Sequence, residues 1–266
     1  MKITTKIAAT ALLLLSVSVS AAADSNSTKL DFTKDNNAMS NNKSIVLVHK
    51  KAHGKNDPTH AVIWLHGLGA SANDFPPVVP ELGLSDERSI RFVFPQAPDK
   101  AITINGGMRM PAWYDIKGTS LEDKQDSEGM RESQATVEAL IDQQIAMGIP
   151  SRNIILAGFS QGGAVTYFTG VRSQHQLAGL LTMSTYCPFD KDTAKERSEI
   201  NKNTPIFASH GTLDPVVDLS MGQASVEHLQ QLGYAVEWKT YRMEHQVVME
   251  QIQNIGAWIN KVFSQP

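Results

Sequence analysis

Ile154-Ile155-Leu156-Ala157-Gly158-Phe159-Ser160-Gln161-Gly162-Gly163-Ala164 is the stretch on which the reading of the whole chain turns. Its first half is a continuous apolar run, the pattern of a strand buried on both faces of a parallel sheet. Its second half is Gly-x-Ser-x-Gly, followed by small residues and a helical segment. A serine at a sharp strand-to-helix turn needs neighbours without bulk, because a Cβ on either flank crowds the bent backbone. The bare pattern arises by chance on the order of 0.1 times in a chain of this composition, so its context carries the weight. The bland alternative is a Gly-rich packing turn.

Outward from this stretch, β-rich runs recur at Ser44–His49, His60–His66, Ile90–Pro95, Asn153–Gly158, Leu177–Met183, Pro205–His210 and Ala235–Tyr241. Helical stripes lie between them. Met130, Val137, Leu140, Ile141 and Ile145 form one, ended by Gly148 and Pro150. Val248, Ile252, Ile255, Ile259 and Val262 form another at the C-terminus. This alternation predicts an α/β fold, a mostly parallel central sheet with helices on both faces. Ligands in such sheets bind beyond the carboxyl ends of the strands. The residues that follow each strand are therefore the candidates for chemistry.

Beyond the sixth run comes Gly211-Thr212-Leu213-Asp214-Pro215-Val216-Val217, and beyond the seventh Arg242-Met243-Glu244-His245. A carboxylate at Asp214 fixes the tautomer of a histidine and stabilises its charged form. The chain order Ser160, Asp214, His245 is the order that α/β-hydrolases use for nucleophile, acid and base. Asp190, Asp192 and Asp218 are weaker candidates for the acid because none stands at a strand end in the same way. His66 and His210 also end strands but precede the required position, and read as structural. Charge developing on the substrate oxygen needs two backbone N–H donors. Gln161, after the serine, supplies one. Leu68, in His66-Gly67-Leu68-Gly69-Ala70, supplies the other, its two glycines permitting an unusual backbone. Leu68, Phe75, Met108, Met110 and Trp113 are expected to wall an apolar acyl pocket, against the alternative that they only pack the core.

With these residues in hand the chain resembles the phospholipase/carboxylesterase family of α/β-hydrolases, which includes acyl-protein thioesterases and small bacterial carboxylesterases. The matching segments are Leu65–Gly69, Pro95-Gln96-Ala97-Pro98, Asn105-Gly106-Gly107-Met108 with Ala112-Trp113-Tyr114-Asp115, Gly158–Ala164, Ser209–Val217 and Met243–Val247. They occur in order across nearly all of Ser44–Pro266. The resemblance implies a Ser160/Asp214/His245 triad, Leu68 and Gln161 as oxyanion donors, no cofactor and no metal, and hydrolysis of esters or thioesters. It also implies that the segment around Trp113 borders the acyl site.

Composition narrows the partners. The 266 residues carry 24 Lys+Arg against 27 Asp+Glu, a formal charge of −3, so no basic excess exists to neutralise a nucleic acid. The single cysteine, Cys187, excludes an intrachain disulfide and a Cys-based zinc site, and reads as a buried thiol. Three histidines, His49, His53 and His60, lie close in sequence but without a carboxylate at ligand spacing.

Lys2 and Lys6 precede the apolar run Ile7–Leu15, and small residues follow as far as Ala23. This is the pattern of a signal peptide over residues 1–23, with an exported, periplasmic or secreted protein as its consequence. Residues 24–43 are rich in Asn, Ser, Asp and Lys and read as a disordered polar tail. Residues 44–266 then form one hydrolase domain, without stable membrane insertion once the signal is removed, and with a homodimer as the expected assembly. The expected partner is a small-molecule ester of short to medium acyl chain. Thioesterase or lysophospholipase action uses the same acyl-enzyme. A catalytically inactive binding protein on the same fold is the alternative from another class.

Overall fold

The computed structural model describes residues 31–33, 44–49, 57–118 and 125–265. Its strands are β1 (Asp31–Thr33), β2 (Ile45–His49), β3 (His60–Leu65), β4 (Ile90–Phe94), β5 (Asp99–Ile102), β6 (Met108–Pro111), β7 (Ile154–Phe159), β8 (Gly179–Met183), β9 (Ile206–Gly211) and β10 (Val236–Tyr241). Its α-helices are α1 (Ser127–Ala146), α2 (Gln161–Gly170), α3 (Asp190–Glu196), α4 (Leu219–Gln231) and α5 (Met249–Phe263). One eight-stranded sheet runs in the order β1-β2-β4-β3-β7-β8-β9-β10. From β4 to β10 every neighbouring pair is parallel, while β2 is antiparallel to both β4 and β1.

Side chains of successive strand residues alternate between the two faces, and the core divides accordingly. Ala61, Ile63, Leu65, Ile154 and Leu156 face one cluster, into which α1 and α2 press Met130, Val137, Ile141 and Phe168. Val62, Trp64, Ile155, Ala157 and Phe159 face the other, closed by Ile252, Ile255 and Ile259 of α5 and by the 3-10 turn Pro76–Leu82. Burial on both faces is why β7 contains no polar side chain and why all six of its residues are buried.

Two features depart from the sequence reading. Asp31–Thr33, within the stretch 24–43 expected to be a tail, is an edge strand registered antiparallel on β2, with Phe32 opposite Leu47. The open edge of β2 accepts any extended backbone, and ladder hydrogen bonds need no apolar side chains. The second feature is the hairpin β5–β6, separate from the main sheet. Its strands of four residues are too short for a clear alternation. Its signal is the turn Asn105-Gly106-Gly107, in which both glycines have positive φ, 65° and 81°. The residues read as signal peptide lie outside the described residues. Among the described residues no helix is long and apolar enough to cross a membrane.

Candidate active site

Parallel alignment brings the carboxyl ends of β3, β7, β9 and β10 to one rim of the sheet, and the site lies there. Ser160 follows β7 directly. Its backbone is held at φ 53°, ψ −121°, a positive φ for a residue with a side chain. Such strain costs about 1–3 kcal/mol and persists only where surrounding structure enforces it. Two glycines make the turn possible. A Cβ on Gly158 would run into the Gly162 carbonyl, and a Cβ on Gly162 would lie 2.5 Å from the His66 oxygen. Beside the turn, Thr185 Oγ1 donates to the Ser160 carbonyl at 2.7 Å, and the Ser160 N–H donates to the Met183 carbonyl at 2.9 Å. Strand β8 thus grips the turn from its far side.

Asp214 and His245 reach Ser160 from beyond the ends of β9 and β10, two and three strands from β7. The N–H groups of Thr212 and Leu213 donate to Tyr241 and Met243 carbonyls, which ties the loop after β9 to the loop after β10. Asp214 Oδ1 accepts the N–H groups of Val216 and Val217, both at 2.9 Å. Its Oδ2 is 2.8 Å from His245 Nδ1. His245 Nε2 is 2.9 Å from Ser160 Oγ. With Nδ1–H given to the carboxylate, Nε2 presents its lone pair to the serine hydroxyl. The Asp214 side chain is wholly buried, and a buried carboxylate is stable only when hydrogen-bonded in this way. Phe159 packs a tilted ring against His245 at 4.8 Å between centroids, which leaves the imidazole little room to swing.

Two further histidines adjoin the site without entering this relay. His210 is buried beside Asp214, with Nε2 2.8 Å from the Val217 carbonyl and 3.5 Å from Asp214 Oδ2. Burial holds its pKa below the usual histidine value. His66 is buried at the end of β3. Its Nε2 accepts the Ala97 N–H at 3.0 Å, so its proton sits on Nδ1 and is donated to the Gly67 carbonyl at 2.7 Å. Burial likewise lowers the pKa of His66. Both rings are engaged with backbone groups and neither is bonded to Ser160.

The residues expected to wall a pocket divide in two. Leu68, on the loop after β3, and Met110, in β6, are half-buried, and Met108 is 61% exposed. Phe75 and Trp113 are only 2% and 1% exposed. Phe75 stacks on Trp64 and supports Phe159, and so belongs to the core beneath His245. Trp113 is likewise enclosed, its ring tilted against the His66 ring at 5.4 Å between centroids and its indole N–H turned to the His66 carbonyl. Sequence reasoning assigned no role to Thr185, or to Gln96, whose amide meets both Ala72 N–H and His66 Nε2. Only the Pro95–Pro98 segment hinted at the latter.

A family model described as phospholipase/carboxylesterase matches residues 47–263. Acyl-protein thioesterase 1 of Cryptococcus neoformans var. neoformans serotype D is 35% identical over 230 residues, spanning 80% of this chain and 96% of the relative. A protein of Oryza sativa subsp. japonica named as a probable carboxylesterase is 35% identical over 201 residues, spanning 74% of this chain and 76% of its own length. The crystal structure of Arabidopsis thaliana SOBER1 superposes with a TM-score of 0.73 at 31% identity, covering 77% of this chain and 99% of that one. These findings correct the expectation of an exported, periplasmic or secreted protein. Relatives at 35% and 37% identity are named as acyl-protein thioesterases, and the family match begins at residue 47, beyond the segment read as a signal peptide. Strand order, strand-end chemistry and relatives agree, and the chain belongs to the phospholipase/carboxylesterase family of α/β-hydrolases.

Proposed function

We propose that this protein is a serine hydrolase that cleaves carboxylic esters of short to medium acyl chains through an acyl-enzyme on Ser160. The single observation that carries the reading is the pair of hydrogen bonds from Ser160 Oγ to His245 at 2.9 Å and from His245 to Asp214 at 2.8 Å. His245 Nε2 takes the hydroxyl proton as Oγ bonds to the ester carbonyl carbon. The carbonyl oxygen becomes an oxyanion held by the N–H groups of Leu68 and Gln161. Collapse of this intermediate breaks the bond to the leaving alcohol, which takes the proton back from His245. Water then repeats the sequence on the acyl-enzyme and releases the acid. Asp214 remains ionised and offsets the imidazolium charge in both halves.

Leu68, Met108 and Met110 are the residues we assign to the acyl side, being apolar and at the rim. Each methylene they bury contributes about 0.8 kcal/mol until the pocket is full. A thioester reading is the second one, favoured by the relatives named as acyl-protein thioesterases. Residues 44–266 act as one catalytic domain in either case. The test is a set of p-nitrophenyl esters of graded chain length, run beside matched thioesters and lysophospholipids. The ester reading expects kcat/KM to climb with chain length, peak at short to medium chains, and exceed the thioester values. Thioester turnover a hundredfold faster at every length would replace it with the second reading.

A further inference from the structure

Trp113, two residues beyond the end of β6, occupies a position for which pocket lining gives no reason. Its indole Nε1–H donates to the His66 carbonyl at 2.8 Å. Its main-chain N–H donates to Gln161 Oε1 at 2.8 Å, and Gln161 Nε2 donates to the Tyr114 carbonyl at 2.7 Å. Both ends of the buried Gln161 amide are therefore spent on the backbone of Trp113 and Tyr114. The Trp113 carbonyl accepts the Ser133 hydroxyl at 2.5 Å, which fastens the segment to α1. Two residues before Trp113, the Pro111 carbonyl accepts the Gly69 N–H at 2.8 Å.

These bonds fall on either side of the two N–H groups assigned to the oxyanion. Leu68 lies between His66, whose carbonyl holds the indole, and Gly69, whose N–H holds Pro111. The His66 ring pins the Gly67 carbonyl from within. Gln161 is the other donor, and its side chain is locked to the same segment. Leu68 stands between two glycines, and glycine gives a loop freedom that a preorganised donor cannot have. The rigidity comes from elsewhere.

We propose that Trp113 is a positioning residue that ties the two oxyanion donors, Leu68 and Gln161, into one rigid unit through its indole N–H and its main chain. The inference rests on the serine-hydrolase reading and deepens it. It assigns the ring to holding transition-state geometry rather than to measuring the acyl chain. A donor displaced by a fraction of an ångström still binds substrate but stabilises the oxyanion less, so the loss appears in kcat and not in KM.

The test compares the full-length wild-type chain with Trp113→Phe and with a chain carrying β-(3-benzothienyl)alanine at position 113. The latter replaces only the indole N–H by sulfur at nearly constant shape. Three quantities are read: kcat and KM on p-nitrophenyl butyrate, Ki of a butyl trifluoromethyl ketone, and Tm. The ketone forms a tetrahedral oxyanion on the serine and so reports the donors directly. The proposal expects kcat in the benzothienyl variant to fall about tenfold, KM to stay within about twofold, and Ki to rise in proportion to the loss of kcat. Unchanged kcat and Ki in the folded benzothienyl variant overturn it. So does a change confined to KM or to chain-length preference, which would make Trp113 a pocket wall. Should Trp113→Phe fail to fold, the benzothienyl chain decides alone. Failure of the underlying hydrolase reading is separate, since it shows as an absence of ester turnover in the wild-type chain.

Discussion

The turn at Ser160 and the segment at Trp113 meet through the Gln161 side chain, yet they are built on opposite principles. The turn is strained and local. Its positive φ at Ser160 is enforced by two glycines within two residues of it, and by the strand and helix it joins. Among its described residues the Trp113 segment carries no positive φ. It is held by partners far away in sequence: His66, Gln161 and Ser133 lie 47, 48 and 20 residues from it. The first region owes its shape to what its own residues lack, and the second to what distant residues offer. Local strain writes itself into sequence as a short motif. Long-range restraint leaves only single residues with no pattern between them.

Substitutions can be aimed at each side of this contrast. Asp214→Asn acts on the relay beside the turn and has the largest expected effect. It keeps the side-chain shape but loses the acceptor charge that holds the His245 tautomer, and turnover should fall about 10⁴-fold. Steady-state kinetics on a short ester check it, and a loss of less than tenfold would remove Asp214 from the relay. Gly162→Ala acts on the strain itself. The added Cβ meets the His66 oxygen at 2.5 Å, so backbone must shift, and we expect a loss of about 1–3 kcal/mol in urea unfolding with turnover down at least about a hundredfold. Wild-type stability in this variant would show that the turn is not tightly packed.

Acid should loosen the surroundings of both regions, because His66 packs against Trp113 and His210 lies beside Asp214. Burial lowers the pKa of His66 and His210, and burial followed by the Arg88 charge takes His60 to about 4. An unfolded histidine titrates at about 6.5. As pH falls below that value the unfolded chain takes up protons that these folded sites resist, so stability is steady above it and is lost towards pH 4. Protonation of His66 Nε2 would also remove the acceptor of the Ala97 N–H. The urea midpoint should therefore lie close to its pH 8 value at pH 6.5 and clearly lower at pH 5, and a midpoint that rises on acidification would contradict the assignment of neutral buried rings. The smallest effect belongs to Ser133→Ala, which removes one anchor of the Trp113 segment. About 1 kcal/mol of stability should go, with ester KM unchanged. A change in KM without a change in stability would place Ser133 at the substrate instead.

The same contrast explains what was legible beforehand. Buried parallel strands leave runs such as Ile154–Ala157 and Ile206–Ala208, and these fall within β7 and β9 as read. The Asp214 and His245 positions followed from chain order plus strand ends, since parallel strands bring their carboxyl ends together whatever lies between. The edge strand Asp31–Thr33 was illegible because three residues are too few to show the period of a strand. The hairpin β5–β6 had a turn signal at Asn105-Gly106-Gly107, but its strands are too short to show a period. Trp113 and Phe75 were read as pocket residues because a large apolar side chain looks the same in sequence whether it faces a ligand or a core. Only their partners, Trp64 and Phe159 for one and His66 for the other, separate the two cases.

The central claim is that Ser160 is the nucleophile that the strained turn presents. Its most direct test treats wild-type and Ser160→Ala chains with a fluorophosphonate, locates the adduct by peptide mass spectrometry, and measures ester turnover on the same samples. The account predicts one adduct on Ser160, none in the alanine variant, and a loss of turnover of about 10⁴ to 10⁶ with the fold retained. An adduct on another residue, or a tenth of wild-type turnover surviving in Ser160→Ala, would contradict it.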